Sequence, residues 1–203
     1  EFGFYAADVT RTIPLNGRFT KRQRAVYEVV LRAQQNAIEA IRPGVQVRTV
    51  HDTAREEISK SLEELGLEGN VDKYFPHGTS HGLGLNVHDP MPNETLAVGM
   101  VITVEPGIYI PKESIGIRIE DDVLVTQNGS RVLSESAPKD PDAIEELMRN
   151  KKFSRLWKET RLLSTCRKNK PAVTDDAISS AVSVAGVTHI DRLHRKAIPS
   201  GHK

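Results

Sequence analysis

One imidazole and three carboxylates stand at the edges of short apolar runs in this chain. Asp8 lies in Ala7-Asp8-Val9-Thr10-Arg11-Thr12 and His81 in His77-Gly78-Thr79-Ser80-His81. Glu105 lies in Val104-Glu105-Pro106-Gly107 and Glu120 in Arg118-Ile119-Glu120-Asp121-Asp122. That mixture suits a hard or borderline divalent ion. Carboxylates favour manganese or magnesium, and one imidazole draws the set toward zinc, cobalt or iron. Two carboxylates that bridge can hold a pair of ions about 3.5–4 Å apart, the arrangement of two-metal hydrolysis.

Taken singly, each residue has an ordinary explanation. Asp8 could cap a turn beside Thr10. Arg118 and Glu120 alternate onto one face of a strand, where an exposed ion pair is worth little. His77, His81 and His88 fall within twelve residues. In an extended segment His77 and His81 share a face and His88 points the other way, so spacing favours one ligand and two substrate-facing donors. Glu105 is harder to explain, because a carboxylate ending the run Val101-Ile102-Thr103-Val104 is costly unless paired or metal-bound. Glycines at 78, 82 and 84 allow something to approach the backbone closely. The joint occurrence of all these groups on consecutive strand edges is what points to one site.

The elements that position them follow from periodicity. Residues 1–19 read as a hairpin, with turn chemistry at Pro14-Leu15-Asn16-Gly17. Thr20 with Gln23 makes a capping box. Val26, Val30, Ala33, Ala37 and Ile41 then recur at helical spacing until Arg42-Pro43-Gly44. A second helix is expected from about Val50 to Leu65, with Val50, Ala54, Ile58 and Leu62 on one face and Gly66 as its stop. Strands follow: Val101–Val104, an alternating stretch from Ile115 to Val125, and a turn at Asn128-Gly129. A short helix is expected over Asp140 to Met148. Strand, two helices, then mostly strands argues for an α+β domain, a curved antiparallel sheet with helices on one face.

The chain of 203 residues is long enough for one sizeable domain, yet its hydrophobic content of 38% is low for that size. Charge is unevenly spread. Residues 151–203 carry twelve Lys/Arg against four Asp/Glu, a net +8 within a total of +1. That segment also loses apolar periodicity and reads as a weakly ordered basic extension rather than a nucleic-acid tail, since no stacking motif accompanies the charge. Cys166 is the single cysteine, which excludes an internal disulfide and fits a reducing compartment. No apolar run reaches about 18 residues, so no membrane partner is expected. The first residues, Glu1-Phe2-Gly3-Phe4-Tyr5-Ala6-Ala7, read as the middle of a strand with sequence expected upstream and no targeting signal.

Several motifs together resemble the pita-bread metallopeptidases, in their aminopeptidase P (Xaa-Pro aminopeptidase) branch. They are Tyr5 to Thr12, Asn16 to Thr20, His77-Gly78-Thr79-Ser80-His81, Leu83 to Asp89, Gly99 to Ile110 and Gly116 to Asp122, in family order and spacing over about residues 1–148. The resemblance implies a creatinase/aminopeptidase-like fold. It further implies that Asp8 and Glu120 bridge two metals and that His81 and Glu105 complete one of the two metal sites. Glu105 would also shuttle the proton in catalysis. His88 would contact substrate near the scissile bond, His77 would act as an outer histidine on the catalytic and substrate side, and Arg118 would bind substrate. The reaction implied removes an N-terminal residue that precedes proline. The cofactor implied is a divalent metal, manganese first, with zinc, cobalt or iron as alternatives.

The family has a further aspartate eleven residues before the position of Asp8, which falls ahead of Glu1. The chain is therefore expected to hold one ion better than two and to be a weak enzyme by itself. Residues 1–148 would be a catalytic domain incomplete at its N-terminus, and 149–203 the basic extension. Partners implied are peptides with proline second, no nucleic acid, and a homo-oligomer; the compartment implied is cytoplasmic or mitochondrial. A prolidase acting on dipeptides shares the ligands, and non-catalytic pita-bread binding modules share the fold.

Overall fold

Thr20 opens the first helix as its side chain predicts. In the computed structural model, which describes residues 3–91, 94–149 and 182–183, the Thr20 hydroxyl accepts from the Gln23 N–H while Gln23 Oε1 accepts from the Thr20 N–H at 3.0 Å. Helix α1 runs Lys21–Glu39 and buries Val26, Val29, Val30, Ala33 and Ala37, one stripe at helical spacing. Helix α2 runs Val47–Ser61 and packs Val50, Ala54 and Ile58 against that stripe. It begins three residues earlier than periodicity suggested. Its entry is held by Val47 N–H donating to the Glu94 carbonyl at 2.8 Å and Leu96 N–H to the Val45 carbonyl at 2.8 Å. Gly66 adopts φ +62°, and Leu67 N–H returns to the Leu62 carbonyl at 2.8 Å, closing the helix end as a left-handed glycine allows.

The strands are β1 (Thr12–Ile13), β2 (Val101–Val104), β3 (Gly107–Ile110), β4 (Ile115–Arg118), β5 (Asp121–Thr126), β6 (Gly129–Val132) and β7 (Val182–Ser183). A third helix, α3, covers Pro141–Arg149 and buries Ile144 and Met148. All strand pairs are antiparallel, in the order β2-β5-β6, a β3–β4 hairpin, and β1 with β7. The α+β class and antiparallel pairing match expectation, with the hydrogen bonding divided among these three pieces. Ile102, Val104, Val123 and Val125 join the helix stripes in one buried core, where each such side chain contributes about 1.5–3 kcal/mol.

Register places the chemistry. Val104 pairs with Asp121 at one end of β2–β5, and Gly107 pairs with Arg118 at the start of β3–β4. Glu105 and Glu120 are thus the residues at which both chains leave one sheet for the other, and they emerge side by side. On the far edge of β2 the stretch 79–83 runs antiparallel without being a named strand. Leu83 N–H reaches the Val101 carbonyl at 3.0 Å, Thr103 N–H the His81 carbonyl at 3.0 Å, and Glu105 N–H the Thr79 carbonyl at 2.8 Å.

Among the described residues 3–19 the expected hairpin does not form. The turn exists, with Gly17 N–H donating to the Pro14 carbonyl at 2.9 Å, but the stretch before it pairs elsewhere. Ala6 N–H donates to the Gly84 carbonyl at 2.8 Å, and Glu120 N–H donates to the Thr10 carbonyl at 3.1 Å. Thr10 and Thr12 are buried, and their hydroxyls find partners more than 100 residues away: Thr10 at Glu120, Thr12 at the Arg118 carbonyl. Long-range satisfaction of these buried polar groups outweighs the local turn. Beyond α3, β7 pairs with β1, Ser183 opposite Thr12. Apart from Arg149 at the end of α3 and the two residues of β7, the basic extension expected over 149–203 lies outside the described residues.

Candidate metal centre

Four segments meet where the sheets exchange partners. Asp8, His81 and Glu120 bring ligand atoms within 4.8 Å of one another. His81 Nε2 lies 3.6 Å from Asp8 Oδ2 and 3.4 Å from Glu105 Oε1. Three of the four metal candidates thus form one mutually close group, and Glu105 stands against its imidazole. His81 Nδ1–H donates to the Gly82 carbonyl at 3.0 Å, which selects the tautomer whose Nε2 lone pair faces the carboxylates. The centre is then ringed by acceptors, an imidazole lone pair and carboxylate oxygens, with no donor of their own. A divalent cation resolves such a set, so the residues present fit the metal that their chemistry suggests.

The electrostatics say the same. Burial, then the neighbouring Glu120, pushes the Glu105 carboxyl up to about 7, against the pull of His81 and Arg118. Burial also raises Glu120, opposed chiefly by the hydrogen bond from Thr10. Buried carboxylates this close cannot all ionise cheaply without a positive charge among them.

Each ligand segment is braced. Thr10 Oγ1 donates to Glu120 Oε2 at 2.5 Å and accepts from Arg118 Nη2 at 3.1 Å. The Asp8 N–H donates to Asp122 Oδ1 at 3.2 Å. Asp122 itself is raised to about 6, mainly by burial. Asp121, wholly buried, accepts from Arg11, Lys139, Ser134 and Gln34. Burial alone would raise its pKa, but Arg11, Lys139 and Ser134 together hold it below the usual carboxylate range. Thr10, Arg11, Asp121 and Asp122 are functional residues that ligand spacing does not reveal. The signal was there, since two consecutive carboxylates opening an apolar strand need partners to be buried at all.

The other expected residues are placed less uniformly. His88 does not point away from His81. Its ring centroid is 4.3 Å from that of His81, because residues 84–89 fold back and Asp89 N–H reaches the Gly82 carbonyl at 3.0 Å. His77 stays outside the cluster. Its Nδ1–H donates to the Gly78 carbonyl at 2.8 Å and its Nε2 accepts from the Tyr109 hydroxyl at 2.8 Å, so neither ring nitrogen is left for a metal. Burial lowers its pKa, consistent with a neutral ring. Arg118 donates from Nε and Nη2 to the Thr10 hydroxyl at 3.2 and 3.1 Å, and its charge also pulls on Glu105 and Glu120.

The fold-back explains two of the three glycines. A Cβ on Gly82 would stand 2.6 Å from the Asp89 carbonyl oxygen, and one on Gly84 would stand against the Asp89 carboxylate, whereas Gly78 has open space. Gly82→Ala should therefore move the loop that carries His88 and destabilise the chain by about 1–3 kcal/mol. Urea unfolding would read this, with Gly78→Ala as the near-neutral comparison.

An α+β domain whose sheet ends gather three carboxylates and an imidazole offers a donor set that could hold a divalent metal, as metallohydrolases do. The chain belongs to metallopeptidase family M24, whose model matches residues 1–127. Xaa-Pro aminopeptidase of Haemophilus influenzae is 42% identical over 171 residues, covering 73% of this chain and 40% of that protein. Xaa-Pro aminopeptidase of Escherichia coli is 40% identical over 171 residues, covering 73% and 39%. Among solved structures, Pseudomonas aeruginosa aminopeptidase PepP superposes with a TM-score of 0.67 at 42% identity, covering 73% of this chain and 39% of that one. The chain thus spans about two fifths of the length of these relatives, and its fold is the pita-bread fold of aminopeptidase P. Among the described residues no helix is long and apolar enough to cross a membrane.

Proposed function

We propose that this chain carries the catalytic centre of a metal-dependent aminopeptidase that hydrolyses the bond between an N-terminal residue and a following proline. The observation that carries the reading is the convergence of Asp8, His81 and Glu120 with Glu105 3.4 Å from the same imidazole nitrogen. It is supported by the identity to Xaa-Pro aminopeptidases. Asp8, His81, Glu105 and Glu120 would hold the ion, which we take to be Mn2+. A divalent ion held there acts as a Lewis acid toward a carbonyl oxygen and lowers the pKa of water.

The chain's own groups do the rest. A proline imide nitrogen bears no hydrogen and leaves as an amine only if a proton reaches it. Glu105 takes at Oε the proton that a water loses as its oxygen bonds the scissile carbonyl carbon, and delivers it to the proline nitrogen as the C–N bond breaks. His88, beside His81, donates to the substrate near the scissile bond. Arg118 holds Thr10, whose hydroxyl fixes the Glu120 carboxylate, and His77 acts through Tyr109 on the same side. We place the substrates as peptides with proline second, the compartment as cytoplasmic or mitochondrial, and the working form as a homo-oligomer.

The test is an assay with Mn2+ on an Xaa-Pro-Xaa tripeptide and on an Xaa-Pro dipeptide, before and after chelation. Release of the first residue from the tripeptide, lost on chelation, is expected. Cleavage of the dipeptide alone would identify a prolidase. Cleavage of neither, by this chain within its full-length protein, would leave a binding module.

A further inference from the structure

Arg11 is the most heavily bonded side chain near the metal donors, and none of its bonds goes to a donor's side chain. Its Nη1 donates to the Thr10 carbonyl at 2.9 Å and to the Glu120 carbonyl at 2.6 Å. Its Nη2 donates to Asp121 Oδ1 at 2.6 Å and to the Ala137 carbonyl at 2.9 Å, and its Nε to the Pro138 carbonyl at 3.1 Å. One planar group therefore bridges the two backbone segments that carry Asp8 and Glu120. The carboxylate it sits on is fully buried, and Arg11 is only 12% exposed. The other oxygen of Asp121 accepts from Lys139 at 2.6 Å and from Gln34 at 3.0 Å, and Gln34 in turn donates to the Val104 carbonyl at 3.4 Å, one residue before Glu105. Ser134 joins the knot to Asp122, donating to Asp121 at 2.6 Å and accepting the Asp122 N–H at 3.1 Å.

We propose that Arg11, seated on Asp121, is a positioning residue that sets the separation of the Asp8 and Glu120 segments and so tunes how tightly the centre holds its ion. This rests on the metal-centre reading given above. The chemistry needs a guanidinium. A lysine would keep the positive charge beside Asp121, but its three donors radiate from one nitrogen. It cannot span two carbonyls on separate segments and a carboxylate in one plane. Charge compensation and bridging are therefore separable by one substitution.

The experiment compares the wild-type chain, Arg11→Lys and Ile144→Val by calorimetric titration with Mn2+ and by thermal melting in chelator. Ile144 is a buried core residue of α3 that makes none of the hydrogen bonds of the knot, so Ile144→Val gives a general loss of stability. The visible spectrum of each protein loaded with Co2+ reports ligand geometry. Expected is a roughly tenfold weaker Mn2+ affinity and an altered Co2+ spectrum for Arg11→Lys, with both unchanged in Ile144→Val. Wild-type affinity and spectrum in Arg11→Lys would overturn the proposal. Equal weakening in Arg11→Lys and Ile144→Val would overturn it too, by showing stability alone at work. Absence of Mn2+ binding by the wild-type chain would instead overturn the metal-centre reading, and this inference with it. If Arg11→Lys does not fold by circular dichroism, Ser134→Ala decides, since it removes the hydroxyl that orients the same carboxylate. Weakened Mn2+ binding at an unchanged melting midpoint supports the proposal, and wild-type binding overturns it.

Discussion

Glu105→Gln is expected to lower turnover of an Xaa-Pro-Xaa peptide about a thousandfold, within the range for removing a general acid–base group. The substitution keeps the shape of the side chain and its place one residue past β2, where the backbone N–H is tied to Thr79. It removes a group that can gain and lose a proton at Oε. It also leaves His81 Nε2 facing an amide instead of a carboxylate oxygen 3.4 Å away. Binding and chemistry separate in the measurement. Steady-state kinetics at saturating Mn2+ should show kcat falling far more than KM changes. Turnover within threefold of wild type would remove Glu105 from the proton path.

The second large effect couples pH, stability and metal. In the metal-free chain Glu105 titrates near 7, raised by burial and then by Glu120. A carboxyl whose folded pKa is raised contributes stability that is complete below its unfolded value. That stability is lost as pH rises through the folded value. Here the window is from about 4.5 to about 7, and the difference corresponds to about 3 kcal/mol. Asp122, raised to about 6, acts in the same direction. Asp121 is lowered, so its contribution is lost only in more acid solution and leaves this window alone. The metal-free melting midpoint should therefore fall between pH 5 and pH 8. Ions bind the deprotonated carboxylates and displace protons, so added Mn2+ should stabilise little at pH 5 and most at pH 8. Scanning calorimetry with and without Mn2+ across that range reads both slopes. His51 and His77, whose imidazoles burial lowers, act the other way below the usual histidine range, so the carboxylates are read from the fall between about pH 6.5 and pH 8, and a midpoint that rises there would contradict the buried carboxylate cluster.

Much of this was legible in the residues because the signals were local. The capping box at Thr20, the stripes of α1 and α2, the glycine stop at 66 and the run Val101–Val104 each declare themselves within one window, and all form. The ligand candidates were legible for a different reason. Carboxylates at the ends of apolar runs are costly to bury, so their positions advertise a partner. What failed was non-local or conformational. Residues 1–19 carry good turn chemistry, yet Thr10 and Thr12 take their partners from Arg118 and Glu120, which no window of that length contains. His88 was assigned to the opposite face because the segment was treated as extended. The reversal at Gly82 to Asp89 depends on close backbone approach that spacing alone does not report. Among the braces, the pair Asp121-Asp122 announces that it needs partners, but Thr10 and Arg11, which act through other side chains, have no signature of their own.

The bond between the Asp8 N–H and Asp122 spans 114 residues of sequence. The centre is thus the clasp of a very long loop, not a local motif. Ordering that much chain before the clasp rewards it makes such contacts late ones, whereas α1 and α2 can zip from neighbours. A nascent or partly melted molecule can therefore hold its helices and still have no place for an ion. Loading with an ion would then report on completed folding.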